Sequence, residues 1–132
     1  MKSFRKLIPL FLVLALLGTS CGSGIDRLNV AGHIGSYKNT TFNVDPFSAW
    51  VMVIDMNRGD VFEGYLIVRG GNDDIKFYIK DPYGNKVLDA GWVYSGYDFH
   101  YIATSEGLHT AEFDNSWSWL TSKVVSVNYR VR

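Results

Sequence analysis

The stretch Asp74–Asn85 reads DIKFYIKDPYGN and carries the clearest fold signal in the chain. Ile75, Phe77 and Ile79 alternate with Lys and Tyr, and successive side chains of a strand point to opposite faces of a sheet. The alternation therefore predicts a β-strand with one buried face. The DPYGN end predicts a turn, because proline presets φ and Gly84 accepts a left-handed backbone. The stretch thus indicates a strand that ends in a hairpin turn.

Strand and turn signals of this kind continue on both sides of the stretch. Turns that contain glycine recur every 11–14 residues from Gly59 to Gly107, with β-branched and aromatic runs between them. After residue 21, no stretch keeps a helical apolar period over three turns. The predicted strands are 30–35, 48–55, 60–69, 74–80, 86–93, 97–104, 108–114 and 123–131. The sequence therefore predicts an all-β fold, a single antiparallel two-sheet β-sandwich, jelly-roll-like, of about seven to eight strands.

Composition limits the possible partners. The chain has 132 residues, 47% of them hydrophobic, and its 8 Tyr, 8 Phe and 4 Trp exclude a disordered polymer. This length corresponds to one domain. Beyond residue 20, 10 basic and 13 acidic residues remain. No basic excess is left to bind a phosphate backbone, so we expect no nucleic-acid partner.

Residues 1–20 have the three zones of an export signal. A basic start precedes the apolar run Leu7–Leu17 (LIPLFLVLALL), and the small residues Gly18–Ser20 follow it. The 11 residues of the run form about 16 Å of helix, which is too short for a hydrocarbon core of about 30 Å. We therefore interpret residues 1–20 as a signal peptide and expect an exported protein.

The segment Leu17–Cys21 (LGTSC) resembles the bacterial lipoprotein signal, whose cysteine is diacylated and becomes the new N-terminus. It departs from that family at Gly18, where Leu or another branched aliphatic residue is usual. Ordinary cleavage that leaves a free thiol at Cys21 is the alternative. The resemblance implies lipidation of Cys21 and a durable anchor in the cell membrane or the outer membrane, with the domain facing the periplasm or the exterior. Residues 21–26 would then be the lipidated cysteine and a flexible tether, and residues 27–132 the domain.

Four stretches of the predicted sandwich together resemble the GOLD (Golgi dynamics) domain, the luminal β-sandwich of the p24/emp24 cargo-receptor family. They lie within residues 45–131 and are Gly59–Val68, Asp74–Asn85, Gly107–Ser116 and Lys123–Tyr129. The resemblance implies the sandwich fold and a non-catalytic role in binding other proteins at a membrane surface.

The chain also departs from the p24 pattern. His109 stands where that family usually has Tyr, and Cys21 is the only cysteine, so the p24 disulfide has no counterpart. We see no coiled coil, transmembrane helix or cytosolic tail after the last predicted strand. A role in vesicle trafficking is therefore not expected to carry over.

Metal and catalytic sites have weak support in the sequence. Asp73, Asp74 and Asp81 place oxygen ligands around one turn, as a Ca²⁺ site would require, but their spacing matches no EF-hand. Aspartate is also an ordinary turn former. The histidines lack the paired spacing of zinc ligands, and no nucleophile elbow, P-loop or dinucleotide-binding glycine pattern follows a predicted strand. We therefore expect no metal, no cofactor and no enzymatic activity.

Trp117 and Trp119 are the candidate binding residues, because both lie on one side of the polar loop 115–122 (NSWSWLTS). Exposed, they would form a stacking platform for sugar rings or an anchor for a partner; otherwise they would fold over the open end of the sandwich. Trp50 and Trp92 lie within strand patterns and are predicted to be core. The sequence thus predicts a lipid-anchored, non-enzymatic module that binds a protein at the cell envelope. The alternative is a carbohydrate-binding module whose glycan platform is the Trp pair.

Overall fold

The computed structural model describes residues 25–30 and 35–132, with side chains described from residue 35 onward. These residues contain no helix, and hence none that is able to cross a membrane. They form nine strands: β1 (Ile25–Val30), β2 (Lys38–Val44), β3 (Ala49–Met56), β4 (Val61–Arg69), β5 (Asp74–Lys80), β6 (Lys86–Tyr94), β7 (Gly96–Ile102), β8 (Gly107–Asp114) and β9 (Lys123–Val131).

The strands pack as two sheets. One has the order β1-β3-β8-β5-β6 and the other β2-β9-β4-β7. All strand pairs among β2 to β9 are antiparallel, whereas β1 adds to the edge of the first sheet parallel to β3. In that parallel pair Ile25 lies opposite Ala49. The predicted all-β antiparallel sandwich is confirmed, and β1 is an addition that the pattern did not indicate.

The strand predictions differ from the structure mainly at the N-terminal end. The predicted strands 74–80 and 123–131 match β5 and β9, but β2 was missed. Strand β2 reads KNTTFNV and lies at a sheet edge with mostly exposed side chains, so its apolar alternation is weak. For the predicted strand 30–35, Val30 ends β1, Gly35 lies outside any strand, and residues 31–34 lie outside the described residues.

Phe77 of β5 lies at the centre of the core and is fully buried. Its ring centroid lies 5.0 Å from that of Phe113 in the same sheet, and 5.5 Å and 5.9 Å from those of Phe99 and Tyr97 in the opposite sheet. The alternation of Asp74–Lys80 therefore places its apolar face between the two sheets, as expected.

The two strand tryptophans have different environments. Trp50 is buried and stacks on Phe42 at 3.5 Å between ring centroids, which confirms the prediction that it is core. The same prediction for Trp92 was wrong, because this side chain is 43% exposed. Trp92 lies on the edge strand β6, and its neighbour Val93 takes the buried position.

His109 is also part of the core and is fully buried. Its Nδ1 donates to the carbonyl oxygen of Gly107 at 3.0 Å, since a carbonyl can only accept. Burial lowers the pKa of His109 below its usual 6.5, so the ring is neutral at pH 7. The imidazole of His109 is therefore a neutral core side chain.

Candidate functional site

One end of the sandwich, which we call the tip, is formed by two loops. Residues 45–48 connect β2 to β3, and residues 115–122 connect β8 to β9. The two loops are joined through their backbones, because Phe47 N donates to the carbonyl oxygen of Ser118 at 3.0 Å. The tip is therefore one joined structure rather than two independent loops.

Asn115 holds the tip together from inside. The residue is fully buried, and its Nδ2 lies 3.1 Å from the carbonyl oxygen of Val44, 3.2 Å from that of Asp45 and 2.9 Å from that of Thr121. One amide group thus contacts the backbone of both loops. Buried amide hydrogen bonds of this kind fix local geometry, because leaving the carbonyls unpaired would be costly.

The two tryptophans predicted as binding residues have different neighbours at the tip. Trp117 is partly buried, packs edge-to-face on Trp92 with 4.6 Å between ring centroids, and donates from Nε1 to the carbonyl oxygen of Asp114. Trp119 is 77% exposed, and its ring lies 6.4 Å from that of Phe47 between centroids. The two indoles therefore do not form the flat, paired surface that a sugar platform requires, because Trp117 is packed and Trp119 is exposed.

Three large apolar side chains are exposed at the tip, and together we call them the apolar tip. They are Phe47, Trp119 and Leu120, with 62%, 77% and 90% of their surfaces exposed. Trp119 was predicted as a binding residue from its place in the polar loop, whereas Phe47 and Leu120 were not predicted. The available signal for Phe47 was an aromatic residue directly after Asp45-Pro46, a turn position where a large apolar side chain is unusual.

A buried ion pair lies beneath the tip. Lys123 is 1% exposed, and its Nζ lies 2.7 Å from Oδ1 of Asp74 and 3.0 Å from the carbonyl oxygen of Gly70, to both of which it donates. The ammonium also lies 5.1 Å from the ring centroid of Trp117. Lys123 therefore ties the start of β9 to the loop before β5.

The three weak metal candidates occupy different places. Asp74 is paired with Lys123, and Asp73 accepts from Gly70 N at 2.9 Å. Asp81 lies beyond the opposite end of β5, where Oδ1 accepts from the backbone N–H groups of Tyr83 and Asn85. The structure therefore does not bring the three carboxylates together. Among the described residues, no group of three or more metal-ligating side chains is found.

The outer face of the second sheet carries an open groove of about 340 Å³, which we call the sheet groove. It is lined by backbone or side-chain atoms of Tyr37, Glu63, Gly64, Tyr65, Asp98, Phe99, His100 and Asn128. The side chains come from β4, β7, β9 and the segment before β2. No local pattern indicated this site, because its members are distant in sequence and adjacent only across the sheet.

Glu63 is the electrostatic centre of the sheet groove. Oε1 accepts from Arg130 Nη2 at 2.7 Å and from Arg132 Nε at 2.9 Å, and Oε2 lies 3.5 Å from His100 Nε2. The hydrogen bonds from Arg132 and Arg130 lower the pKa of Glu63 to about 2, so it stays ionised at physiological pH. The Arg130 guanidinium also lies 4.7 Å from the ring centroid of Tyr37. The groove therefore presents ordered charges beside tyrosine rings.

The solved structures that this fold is similar to include periplasmic inhibitors of g-type lysozyme. PliG from Aeromonas hydrophila matches with a TM-score of 0.57 and 8% identity, over 82% of this chain and 97% of that chain. A mutant of PliG from Escherichia coli matches with a TM-score of 0.51 and 14% identity, over 83% of this chain and 99% of that chain. At these identities the likeness concerns the fold.

Sequence comparison gives the family. No curated protein matches the chain. Residues 39–132 match the family described as emp24/gp25L/p24 family/GOLD. The match covers all four stretches that resembled the GOLD domain, as well as the missed strand β2 after its first residue. The chain therefore belongs to the emp24/gp25L/p24 (GOLD) family.

Proposed function

We propose that this GOLD-family chain is a lipid-anchored, non-catalytic binding module that holds a protein partner outside the cytoplasmic membrane, with the sheet groove as its contact surface. The observation that carries the proposal is the arrangement around Glu63. Tyr65 and Arg130 lie on β4 and β9, and Tyr37 and Arg132 directly flank β2 and β9. Tyrosine and arginine are enriched among the residues that dominate protein–protein binding energy. Sites built on strands also hold their side chains more accurately than sites on loops.

The exposure of the groove supports contact with a partner surface. Tyr37 is 50% exposed and Tyr65 41%, so both rings have apolar surface available for burial. Arg130 already pairs with Glu63, and this pre-ordering reduces the entropy lost on binding. The fold likeness to periplasmic inhibitors of g-type lysozyme supports an extracytoplasmic location and makes g-type lysozyme the first partner to test.

Tyr65→Ala tests the groove. If the purified lipoprotein in detergent micelles binds a g-type lysozyme, we expect Tyr65→Ala to weaken binding by roughly tenfold or more, the size typical of a binding hot spot. Titration calorimetry and residual lysozyme activity measure this effect. Tyr83→Ala is the matched control, because Tyr83 lies in the turn after β5, is 80% exposed, and should have no effect.

One result would exclude g-type lysozyme as the partner, and a second would contradict a partner site at the groove. Wild-type protein that neither binds nor inhibits g-type lysozyme would exclude that partner. A photo-crosslinker placed at position 65 and at position 83 in intact envelopes then tests the general form. Protein adducts formed equally from both positions, or from neither, would contradict a partner site at the groove.

Cys21→Ser tests the anchor, which lies outside the described residues. We expect wild-type protein to incorporate a palmitate analogue in cells and the variant to remain unlabelled, because only the thiol at the end of the LGTSC segment accepts the diacylglycerol. Cys21→Ser combined with Ser23→Cys is the matched control, since it restores a thiol outside that context. Labelling of the single variant would contradict lipidation at Cys21.

The carbohydrate alternative has less support from the geometry. It depends on Trp117 and Trp119 acting as one platform, but Trp117 packs against Trp92 while Trp119 projects beside Phe47.

A further inference from the structure

The apolar tip is an exposed surface for which the core and the sheet groove provide no explanation. The rings of Phe47 and Trp119 lie 6.4 Å apart between centroids, and Leu120 follows Trp119 directly. None of these three side chains carries a charge. Three neighbouring side chains of this size, each more than half exposed, are typical of a contact with an apolar phase or partner.

The fold holds these side chains outward. Phe47 has a φ of 60°, a left-handed conformation that is rare for a bulky residue, and its N–H is bonded to the carbonyl oxygen of Ser118. Asn115 ties both loops to one buried amide. The tip therefore has this exposed conformation in the free protein, and docking would require little reorganisation.

The chain enters the sandwich at the same end. Strand β1 runs parallel to β3 with Ile25 opposite Ala49, and Ala49 is only two residues after Phe47. The start of β1 is thus beside the tip, one strand spacing of about 4.8 Å from the start of β3. Cys21 is four residues before Ile25, a reach of at most about 14 Å. Acyl chains on Cys21 would therefore enter the bilayer within about 14 Å of the start of β1, which brings the bilayer close to the tip.

We propose that Phe47, Trp119 and Leu120 insert into the headgroup–acyl interface of the bilayer that carries the Cys21 anchor. This inference rests on the lipid anchor of the proposed function. The interface favours Trp, whose ring is apolar while its N–H stays hydrated, and Leu and Phe contribute apolar area. Phe47, Trp119 and Leu120 carry no charge, so their apolar contact with the bilayer should persist at high salt. Insertion at the tip orients the domain and leaves the sheet groove free on its side face.

The test is a depth measurement on the lipidated full-length protein in vesicles of phosphatidylethanolamine and phosphatidylglycerol. The acylated Cys21 is the only native cysteine, so Leu120→Cys provides a single reactive thiol for the fluorophore NBD. Tyr83→Cys is the matched control, because Tyr83 is 80% exposed and lies beyond the far end of β5. Both labels replace highly exposed side chains and should leave the fold intact.

The proposal predicts different signals from the two labels. At position 120, NBD emission should shift to shorter wavelength and be quenched by lipids that carry a spin label near the headgroup, at low and at high salt. At position 83, emission should remain that of a probe in water. Adding Phe47→Ser and Trp119→Ser to the Leu120→Cys protein should remove the shift. Equal, water-like emission from positions 120 and 83 would overturn the proposal.

The remaining outcomes separate the tip from the anchor. Vesicle flotation reports the anchor, so floating protein with a water-exposed position 120 keeps the anchor and excludes the tip contact. If the protein does not float, the anchor fails, and the same labels are then read at high vesicle concentration. A shift at position 120 supports the tip contact, and no shift overturns it. A probe at 120 that responds to soluble glycans or to g-type lysozyme but not to vesicles would also overturn the proposal.

Discussion

Lys123→Met should destabilise the protein by about 3–5 kcal/mol, because it leaves the Asp74 carboxylate buried without its partner. Lys123 is 1% exposed, and the 2.7 Å contact to Asp74 is its shortest polar contact. Methionine has a similar length and an apolar stem, so the effect would report lost charge pairing more than lost packing. The carbonyl oxygen of Gly70 would lose a donor as well. Urea unfolding followed by tryptophan fluorescence measures the change.

Two further variants identify the cause. Lys123→Met combined with Asp74→Leu removes both charges and should recover most of the stability, since replacing a buried pair by apolar residues is often neutral or favourable. Lys76→Met is the matched control. Lys76 is a partly exposed lysine 4.9 Å from the ring of Trp92, and its loss should cost at most about 1 kcal/mol. If Lys123→Met costs no more than Lys76→Met, the ion pair does not stabilise the fold.

Phe77→Ala should cost about 3–5 kcal/mol of unfolding free energy, because the substitution opens a cavity between the two sheets. Phe77 is fully buried and contacts rings from both sheets. The loss is comparable to the lower end of the total stability of a domain, about 5–15 kcal/mol, so much of the protein should be unfolded at elevated temperature. Thermal unfolding followed by circular dichroism measures the shift.

Tyr78→Ala is the neighbouring control for this prediction. Tyr78 follows Phe77 in β5 but points to the opposite face and is partly exposed. Its truncation should cost clearly less than that of Phe77, since it opens no cavity between the sheets. An unchanged melting temperature for Phe77→Ala would contradict the core position of this ring and with it the stacking of the sheets.

Both predictions also concern function. Lys123 and Asp74 lie under the tip. Phe77 lies on β5, which pairs with β8, the strand that leads into the tip loop 115–122. A folded variant that has lost the Lys123–Asp74 contact should therefore change the conformation of the tip loops more than that of the sheet groove. The groove depends on the opposite sheet, where Glu63, His100 and Arg130 lie on adjacent strands.

Short-range patterns in the amino-acid sequence were sufficient to predict the fold class and most of the strands from β3 onward. The alternation of Ile75, Phe77 and Ile79 predicted β5 with its observed bounds, and the GOLD resemblance was recognisable from four stretches. Side-chain alternation is a local property of an extended backbone, so it can be read without knowing the neighbouring strands. It fails where both faces carry weak signals, as in the polar edge strand β2.

Strand order and loop packing settled the rest, because they join residues that no local pattern connects. Lys123 can be buried because its ammonium pairs with Asp74, 49 positions away. Trp92 is exposed because β6 is an edge strand. Glu63 meets Arg130 only because β4 pairs with β9. The tip likewise depends on Asn115 reaching Val44, 71 positions away. Periodicity along the chain thus indicates which side chains turn inward, whereas pairing across the sheets decides which of them meet.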